Sequence, residues 1–61
     1  MGNRVTPEIG EMYEWQAVLY YIRRVDPDLR WADVTVHQGH APAVQQQVRL
    51  PLPIGFKKVG Q

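Results

Sequence analysis

The side chains best suited to metal chemistry in this chain are two histidines around a short turn sequence. His37 and His40 enclose Gln38-Gly39, and imidazole is the commonest metal ligand in proteins. A metal site also needs three or four ligands and further groups that orient them. The chain has no cysteine, and we expect Asp33 on the other strand face from His40. We therefore expect two solvated turn histidines, with no metal and no cofactor.

Covalent catalysis has equally little support in the residue types. The chain contains neither serine nor cysteine, so no Ser-His-Asp or Cys-His arrangement can be assembled. Asp26 and Asp28 flank Pro27, where turn and capping roles account for both carboxylates. An enzyme pocket needs walls that a chain of 61 residues rarely supplies. The sequence predicts a protein that is not an enzyme and has no catalytic residues.

Binding character is concentrated in tyrosines and an arginine in the first half of the chain and in an apolar segment near its end. Tyrosine and arginine are enriched at the energetic centres of protein interfaces. From Val44 to Ile54, alternate positions are mostly large aliphatics, which indicates an extended segment with one apolar face. That face covers either the chain's own core or a partner. The predicted partner-binding residues are Tyr13, Tyr20, Tyr21, Arg24, Leu52, Ile54 and Phe56.

Basic side chains offer an alternative function, the binding of nucleic acid. The formal net charge is only +1, whereas a dedicated nucleic-acid-binding domain is clearly basic. A local patch could still form if the basic residues lie close together in the fold. The residues predicted for this alternative are Arg23, Arg24, Arg30, Lys57 and Lys58.

The predicted binding tyrosines lie in a segment with the spacing of an amphipathic helix. Thr6 and Pro7 resemble a helix start, with threonine as the N-cap and proline at the first helical position. Asp26-Pro27 ends the segment, because a residue before proline is disfavoured in the α region. We therefore predict a helix over residues 7–25. Its apolar stripe has spacings of three and four and consists of Met12, Trp15, Val18, Leu19, Ile22 and Val25.

The second half of the chain has the pattern of a β-hairpin. Val34-Thr35-Val36 favours a strand, and Gly39 and Pro42 mark a turn before a returning strand. We predict the hairpin over residues 31–50, an N-terminal arm over 1–6 and an extended tail over 51–61. Pro51 and Pro53 interrupt the tail, because they cannot donate ladder hydrogen bonds.

The predicted fold class is α+β, in one small domain over residues 1–61. One N-terminal α-helix packs on an antiparallel β-hairpin, with a three-stranded meander as the alternative, and a proline-interrupted extended segment follows. A domain of this size buries only ~60% of the surface that its unfolded chain exposes. Without disulfides, small domains usually depend on a metal or a partner subunit.

These observations favour a non-enzymatic protein–protein interaction protein. It would be a small subunit of a larger assembly, or a stoichiometric modulator or inhibitor of a larger protein. Its partner would be another protein or a second copy of itself, with nucleic acid as the alternative. No apolar run approaches the ~18 residues that a membrane span requires, and the N-terminus lacks the apolar core of a signal peptide. We therefore expect a cytoplasmic protein that does not bind membranes.

Overall fold

The computed structural model describes residues 6–60, which form a single antiparallel β-sheet. The predicted arm over residues 1–6 therefore lies outside the described residues except for Thr6, as does the last residue of the predicted tail. The strands are β1 (Met12–Trp15), β2 (Val18–Val25), β3 (Trp31–His37), β4 (Val44–Arg49) and β5 (Lys57–Lys58).

The five strands are arranged in the order β4-β3-β2-β1-β5. The first four form a meander, and β5 returns to pair antiparallel with β1. Because β4 and β5 occupy opposite edges, the segment that joins them, residues 50–56, must cross the sheet. One row of paired residues shows which side chains share a face: Tyr13, Tyr20, Val36 and Val44 lie opposite one another on successive strands.

The prediction of a helix over residues 7–25, and with it the α+β fold class, is wrong. Residues 6–60 contain no helix, and the segment from Met12 to Val25 is a β-hairpin. Gln16 and Ala17 form its two-residue turn with φ of 52° and 66°, the positive values that a type I′ turn requires. Tyrosine, valine and isoleucine favour strands, and this segment contains three tyrosines, two valines and one isoleucine.

The helix-like spacing has two structural causes. Trp15 and Val18 are three positions apart, but the tight turn places them directly opposite each other on one face. Ile22 and Val25 are also three apart, and a β-bulge between Ile22 and Arg24 brings both towards the core. A bulge inserts one residue into a strand and so changes the spacing of residues that share a face. The turn and the bulge therefore imitate helical periodicity for these two pairs, whereas Met12 and Leu19 of the predicted stripe lie on the opposite face of the sheet.

The hairpin predicted over residues 31–50 corresponds to β3 and β4. Val36 pairs with Val44, and Ala32 pairs with Val48, so the alternating apolar residues of the two strands share a face. The connecting turn contains Gly39 with φ of 57°, a conformation that glycine adopts readily.

The core lies between the sheet and the crossing segment. The segment contributes Leu50, Leu52 and Phe56, which are buried, while Pro51 and Pro53 are exposed. The Leu50 N–H donates to the Arg30 carbonyl at 2.9 Å, which fixes the start of the crossing. The tail therefore covers the chain's own sheet. The buried apolar cluster is Tyr13, Ile22, Ala32, Val34, Leu50, Leu52 and Phe56.

Candidate functional site

The crossing segment leaves part of the apolar sheet face open, and this opening is the best candidate binding site. A groove of about 310 Å³ lies between the β1–β2 hairpin, β4 and the crossing segment. Trp15 and Tyr20 are only partly buried there, as is Val48 on β4. Pro53 and Phe56 line the side formed by the crossing segment. Gln46, Gln47 and Arg49 of β4 complete the lining. This region is called the aromatic groove below.

Aromatic stacking fixes the shape of the groove. The rings of Trp15 and Phe56 are parallel within 4°, with centroids 5.4 Å apart. Tyr20 contacts the same Phe56 ring at 4.9 Å and an angle of 51°. Offset-stacked and tilted pairs at these separations are favourable beyond the area they bury. The three rings therefore form a preformed surface.

Gly55 allows the crossing segment to approach Trp15 closely. A Cβ atom at this position would lie 2.6 Å from Trp15 Nε1 and 2.8 Å from Cδ1, far inside normal contact distance. Any other residue would force the indole ring to move. The stack between Trp15 and Phe56 therefore requires glycine at position 55 because it has no side chain.

A carboxylate network holds β5 against β1 beside the groove. Glu11 Oε1 accepts hydrogen bonds from the Tyr13 hydroxyl and the Glu8 N–H, both at 2.8 Å. Glu11 Oε2 lies 3.0 Å from Lys58 Nζ. Hydrogen bonds from the Glu8 N–H, from Lys58 and from Tyr13 hold the pKa of the Glu11 carboxyl below its ordinary value. Burial and the bond to Glu11 raise the pKa of Tyr13 to about 12. The Glu11 carboxylate and the Tyr13 hydroxyl therefore have a structural role, which is to hold β5 against β1.

The structure separates the seven residues predicted to bind a partner. Tyr13, Leu52 and Phe56 belong to the buried core, although the Phe56 ring also lines the groove. Tyr20 is partly buried in the groove. The surface-exposed members are Tyr21, Arg24 and Ile54, with Tyr21 39% and Ile54 76% exposed.

Neighbouring tyrosines on β2 face opposite sides of the sheet. Tyr20 lies opposite Val36, whereas Tyr21 lies opposite Thr35, so the two side chains alternate across the strand. A single binding surface therefore cannot use both rings in the way that a helix face would.

The basic residues of the nucleic-acid alternative are largely engaged by carboxylates. Arg24 Nε lies 3.7 Å from Asp33 Oδ2, and Lys58 forms an ion pair with Glu11. Arg23 and Arg24 are on β2, and β1 separates that strand from the lysines of β5. The fold therefore does not gather these side chains into one patch.

Arg30 has a structural role in the β2–β3 turn. Its Nε and its backbone N–H both donate to Asp26 Oδ2, at 2.8 and 3.1 Å, and Asp28 Oδ2 lies 3.6 Å from its Nη2. The side-chain bond from Arg30 lowers the pKa of Asp26, and the same bond raises the pKa of Arg30. This turn is held by its own ion pairs.

A second depression, of about 360 Å³, is polar. It is lined by Arg23 and Arg24, by Asp33 and by glutamines of β4. Asp33 already engages Arg24, and it accepts a hydrogen bond from Gln47 Nε2 at 3.3 Å. Its one carboxylate is therefore already engaged, and no aromatic ring lines the depression, so it is less suited to an apolar ligand than the aromatic groove.

The two histidines lie at the surface around the β3–β4 turn. His37 ends β3 and His40 is in the turn itself, both exposed. Over residues 6–60, no group of three or more His, Cys, Asp or Glu side chains is placed to hold a metal ion. That part of the chain also contains no helix long and apolar enough to cross a lipid bilayer.

Sequence reasoning misses most of the groove. The helix prediction places Trp15 in a core stripe, and Val48, Pro53 and Gly55 are not among the predicted site residues. The available signal is Gly55-Phe56 after the alternating apolar run, since a glycine beside an aromatic residue is compatible with a close approach. The approach itself joins residues some forty positions apart in sequence, and no local pattern encodes it.

Comparisons with known proteins add no family to this picture. No protein-family model matches the chain, and neither a curated protein nor a solved structure does.

Proposed function

We propose that this chain is a non-enzymatic protein-interaction module whose aromatic groove binds an extended segment of another protein. The supporting observation is an open, preformed surface in a domain with a very small core, where the partly buried rings of Trp15 and Tyr20 pack on the buried ring of Phe56. Aromatic-lined grooves are a recurrent means of binding extended apolar or proline-containing segments. Such a role suits a small subunit or a stoichiometric modulator of a larger protein.

The crossing segment supports the choice of ligand. Leu50-Pro51-Leu52-Pro53 lies across the same sheet face with its leucines buried and its prolines exposed. This sheet face thus already binds one extended proline-containing segment, which belongs to the chain itself. Pro53 of that segment also lines the groove, and we infer that a partner's segment of similar chemistry occupies it. The expected cytoplasmic location belongs to this proposal and is based on the sequence alone.

A matched pair of tyrosine variants tests the groove. Peptides would be selected against the chain from a displayed library of unstructured sequences, and their dissociation constants measured by calorimetry. Tyr20→Ala should weaken binding by at least about tenfold, because truncation of a central aromatic residue commonly costs ~2 kcal/mol or more. Tyr21→Ala removes the same ring from the opposite face and should leave affinity unchanged.

Folding must be separated from binding in this experiment, because Tyr20 also contacts Phe56. Circular dichroism and urea denaturation would show whether Tyr20→Ala stays folded. Val48→Thr provides a second groove variant of nearly the same shape, and its added hydroxyl should also weaken binding. Equal loss with Tyr21→Ala, or selected peptides that are indifferent to both groove variants, would overturn the proposal.

Nucleic-acid binding stays a prediction with weaker support, because three of its five basic residues are engaged by carboxylates. Titration with duplex and single-stranded oligonucleotides at two salt concentrations checks it. Binding through phosphates must fall steeply as salt rises. If the chain binds no oligonucleotide at low salt, this alternative is wrong.

A further inference from the structure

Strand β4 forms an open edge of the sheet. It pairs with β3 on one side, and no strand of residues 6–60 lies on its other side. In an antiparallel edge strand, half of the backbone N–H and C=O groups point away from the sheet. Natural proteins usually protect such edges with lysine, proline, bulges or a covering loop. Residues 44–48 carry no charge and no proline, and the bulge of this sheet is on β2.

The sequence of the open edge is palindromic. Val44-Gln45-Gln46-Gln47-Val48 reads the same in both directions. Two copies of such a strand can therefore pair antiparallel about a two-fold axis with every residue opposite its own type. Val44 would meet Val48 of the other copy, Gln45 would meet Gln47, and Gln46 would meet itself. Symmetric interfaces of this kind require self-complementary surfaces.

The palindrome selects one register among the possible ones. A shift by one residue would place valine opposite polar residues and exchange the two faces of the strand. A larger shift towards Arg49 would bring like charges together, which is destabilising. In the palindromic register, the uncharged residues pair and Arg49 lies beyond them. The net charge of +1 adds little repulsion between copies.

We propose that a second copy of this chain pairs with β4 about a two-fold axis at Gln46, joining two five-stranded sheets into one continuous sheet. Val44, which is 57% exposed, would then pack beside Val48 of the other copy. Both copies would present their aromatic grooves on the same face, since antiparallel pairing about this axis preserves the faces. Gln46, Gln47 and Val48 also line the aromatic groove, so association of the two copies is measured without peptide.

Charge exchange at Gln46 tests the axis itself. Gln46 is exposed, so Gln46→Lys and Gln46→Glu should both fold. Each variant alone places like charges directly opposite each other and should raise the dimer dissociation constant about fivefold. An equal mixture of the two variants places Lys opposite Glu and should restore association to at least the wild-type value. Sedimentation over a concentration series would measure all four samples.

Cysteine variants provide a second measurement, because a disulfide traps even a weakly associated dimer. The chain has no cysteine, so each introduced thiol is unique. Gln46→Cys should form a disulfide-linked dimer under mild oxidation, because the residue opposes itself. Gln45→Cys should cross-link poorly alone but well when mixed with Gln47→Cys.

The outcomes are separable from those of the groove experiment. A wild-type mass that stays at 7.1 kDa at every concentration would overturn the dimer and leave peptide binding to Tyr20 untouched. A dimer in which the mixed charge variants associate no better than either alone would overturn the two-fold axis at Gln46. Equal cross-linking of Gln45→Cys and Gln46→Cys would also contradict it.

Discussion

The two edge strands of the sheet, β5 and β4, differ in length and in charge. β5 is only two residues long, both lysines, and Lys58 is tied to Glu11 at 3.0 Å. The Val59 N–H donates to the Met12 carbonyl at 2.8 Å just beyond it. β4 is six residues long and carries no charge before Arg49. Short, lysine-bearing edges resist unwanted strand pairing, so the contrast indicates that the β4 edge is the one left available for association.

The two edges also differ in how many buried side chains lie next to them. Beside β5, Phe56 is stacked on Trp15, and Tyr13 is buried. On β4, only Val48 is partly buried, and its remaining residues are exposed. Regions with few buried contacts open at lower free energy than the core. The same sheet thus has one edge held by side-chain packing and another held mainly by its pairing with β3.

The largest predicted effect on stability comes from removing the ring of Phe56, which packs beside the β5 edge. Phe56→Ala should lower the free energy of unfolding by about 3–5 kcal/mol, because a buried aromatic residue is replaced by a cavity. Val44→Ala at the open edge should change it by less than about 0.5 kcal/mol. Urea denaturation at low protein concentration would compare the two. Similar losses from both variants would remove the proposed contrast between the edges.

The next effect concerns the close approach at Gly55. Gly55→Ala should destabilise the fold by about 1–3 kcal/mol, because overpacking forces neighbouring groups to move. It should also disturb the near-ultraviolet circular dichroism of Trp15, because the new Cβ would lie 2.6 Å from the indole Nε1 unless the ring moves. Gly39→Ala is the control: it meets open space, with φ of +57°, and should show only a backbone cost of about 1 kcal/mol. An unchanged tryptophan signal in Gly55→Ala would contradict the argument.

The sequence predicts the β3–β4 half of the fold because its signals are local. Val34-Thr35-Val36 and the turn around Gly39 need no distant contact to be recognised as a hairpin. The first half misleads because the Gln16-Ala17 turn lacks the glycine or asparagine that usually marks a type I′ turn. The bulge after Ile22 then displaces the alternation. Both features are set by tertiary pairing, which overrides local preference.

The candidate site is predictable only in its residue types. Tyr20 is predicted as an aromatic residue with interface character, and it does line the groove. Its supposed neighbours on a helix face do not, because a strand sends Tyr21 to the other side. The groove is formed when residues 53–56 reach Trp15. Periodicity reports which residues share a face within one element, and it carries no information on which distant segment covers that face.

A smaller effect is expected from the hydroxyl of Tyr13. Tyr13→Phe should cost about 1–1.5 kcal/mol at neutral pH, the usual contribution of a hydrogen bond. The pKa of Tyr13 is raised from 10.0 to about 12, so the unfolded chain loses this proton first as pH rises. Wild-type stability should therefore fall more steeply than that of Tyr13→Phe between these two values. Urea denaturation across this range measures the difference.

The exposed ring provides the control for this alkaline prediction. Tyr21→Phe makes the same chemical change on the opposite face, where Tyr21 is 39% exposed. It removes a hydroxyl that is not bonded to Glu11, so it tests whether the steeper fall in stability is specific to Tyr13. If the stability of Tyr13→Phe falls as steeply as that of the wild type, the bond from Tyr13 to Glu11 does not contribute to holding the β5 edge.

The smallest effect concerns the charge that ties Lys58 to the sheet. Glu11→Gln keeps an oxygen for the Tyr13 hydroxyl and the Glu8 N–H but removes the ion pair, so the expected loss is about 0.5–1 kcal/mol. The pKa of Glu11 is lowered from 4.5 in the folded chain. Its stabilisation is therefore present above that value and disappears as pH falls through the lower, folded pKa. The wild-type advantage over Glu11→Gln should vanish in acid. Glu8→Gln is the control, because it removes a nearby exposed carboxylate outside the ion pair between Glu11 and Lys58. A wild-type advantage over Glu11→Gln that persists in acid would show that the charge of Glu11 does not hold β5 against β1.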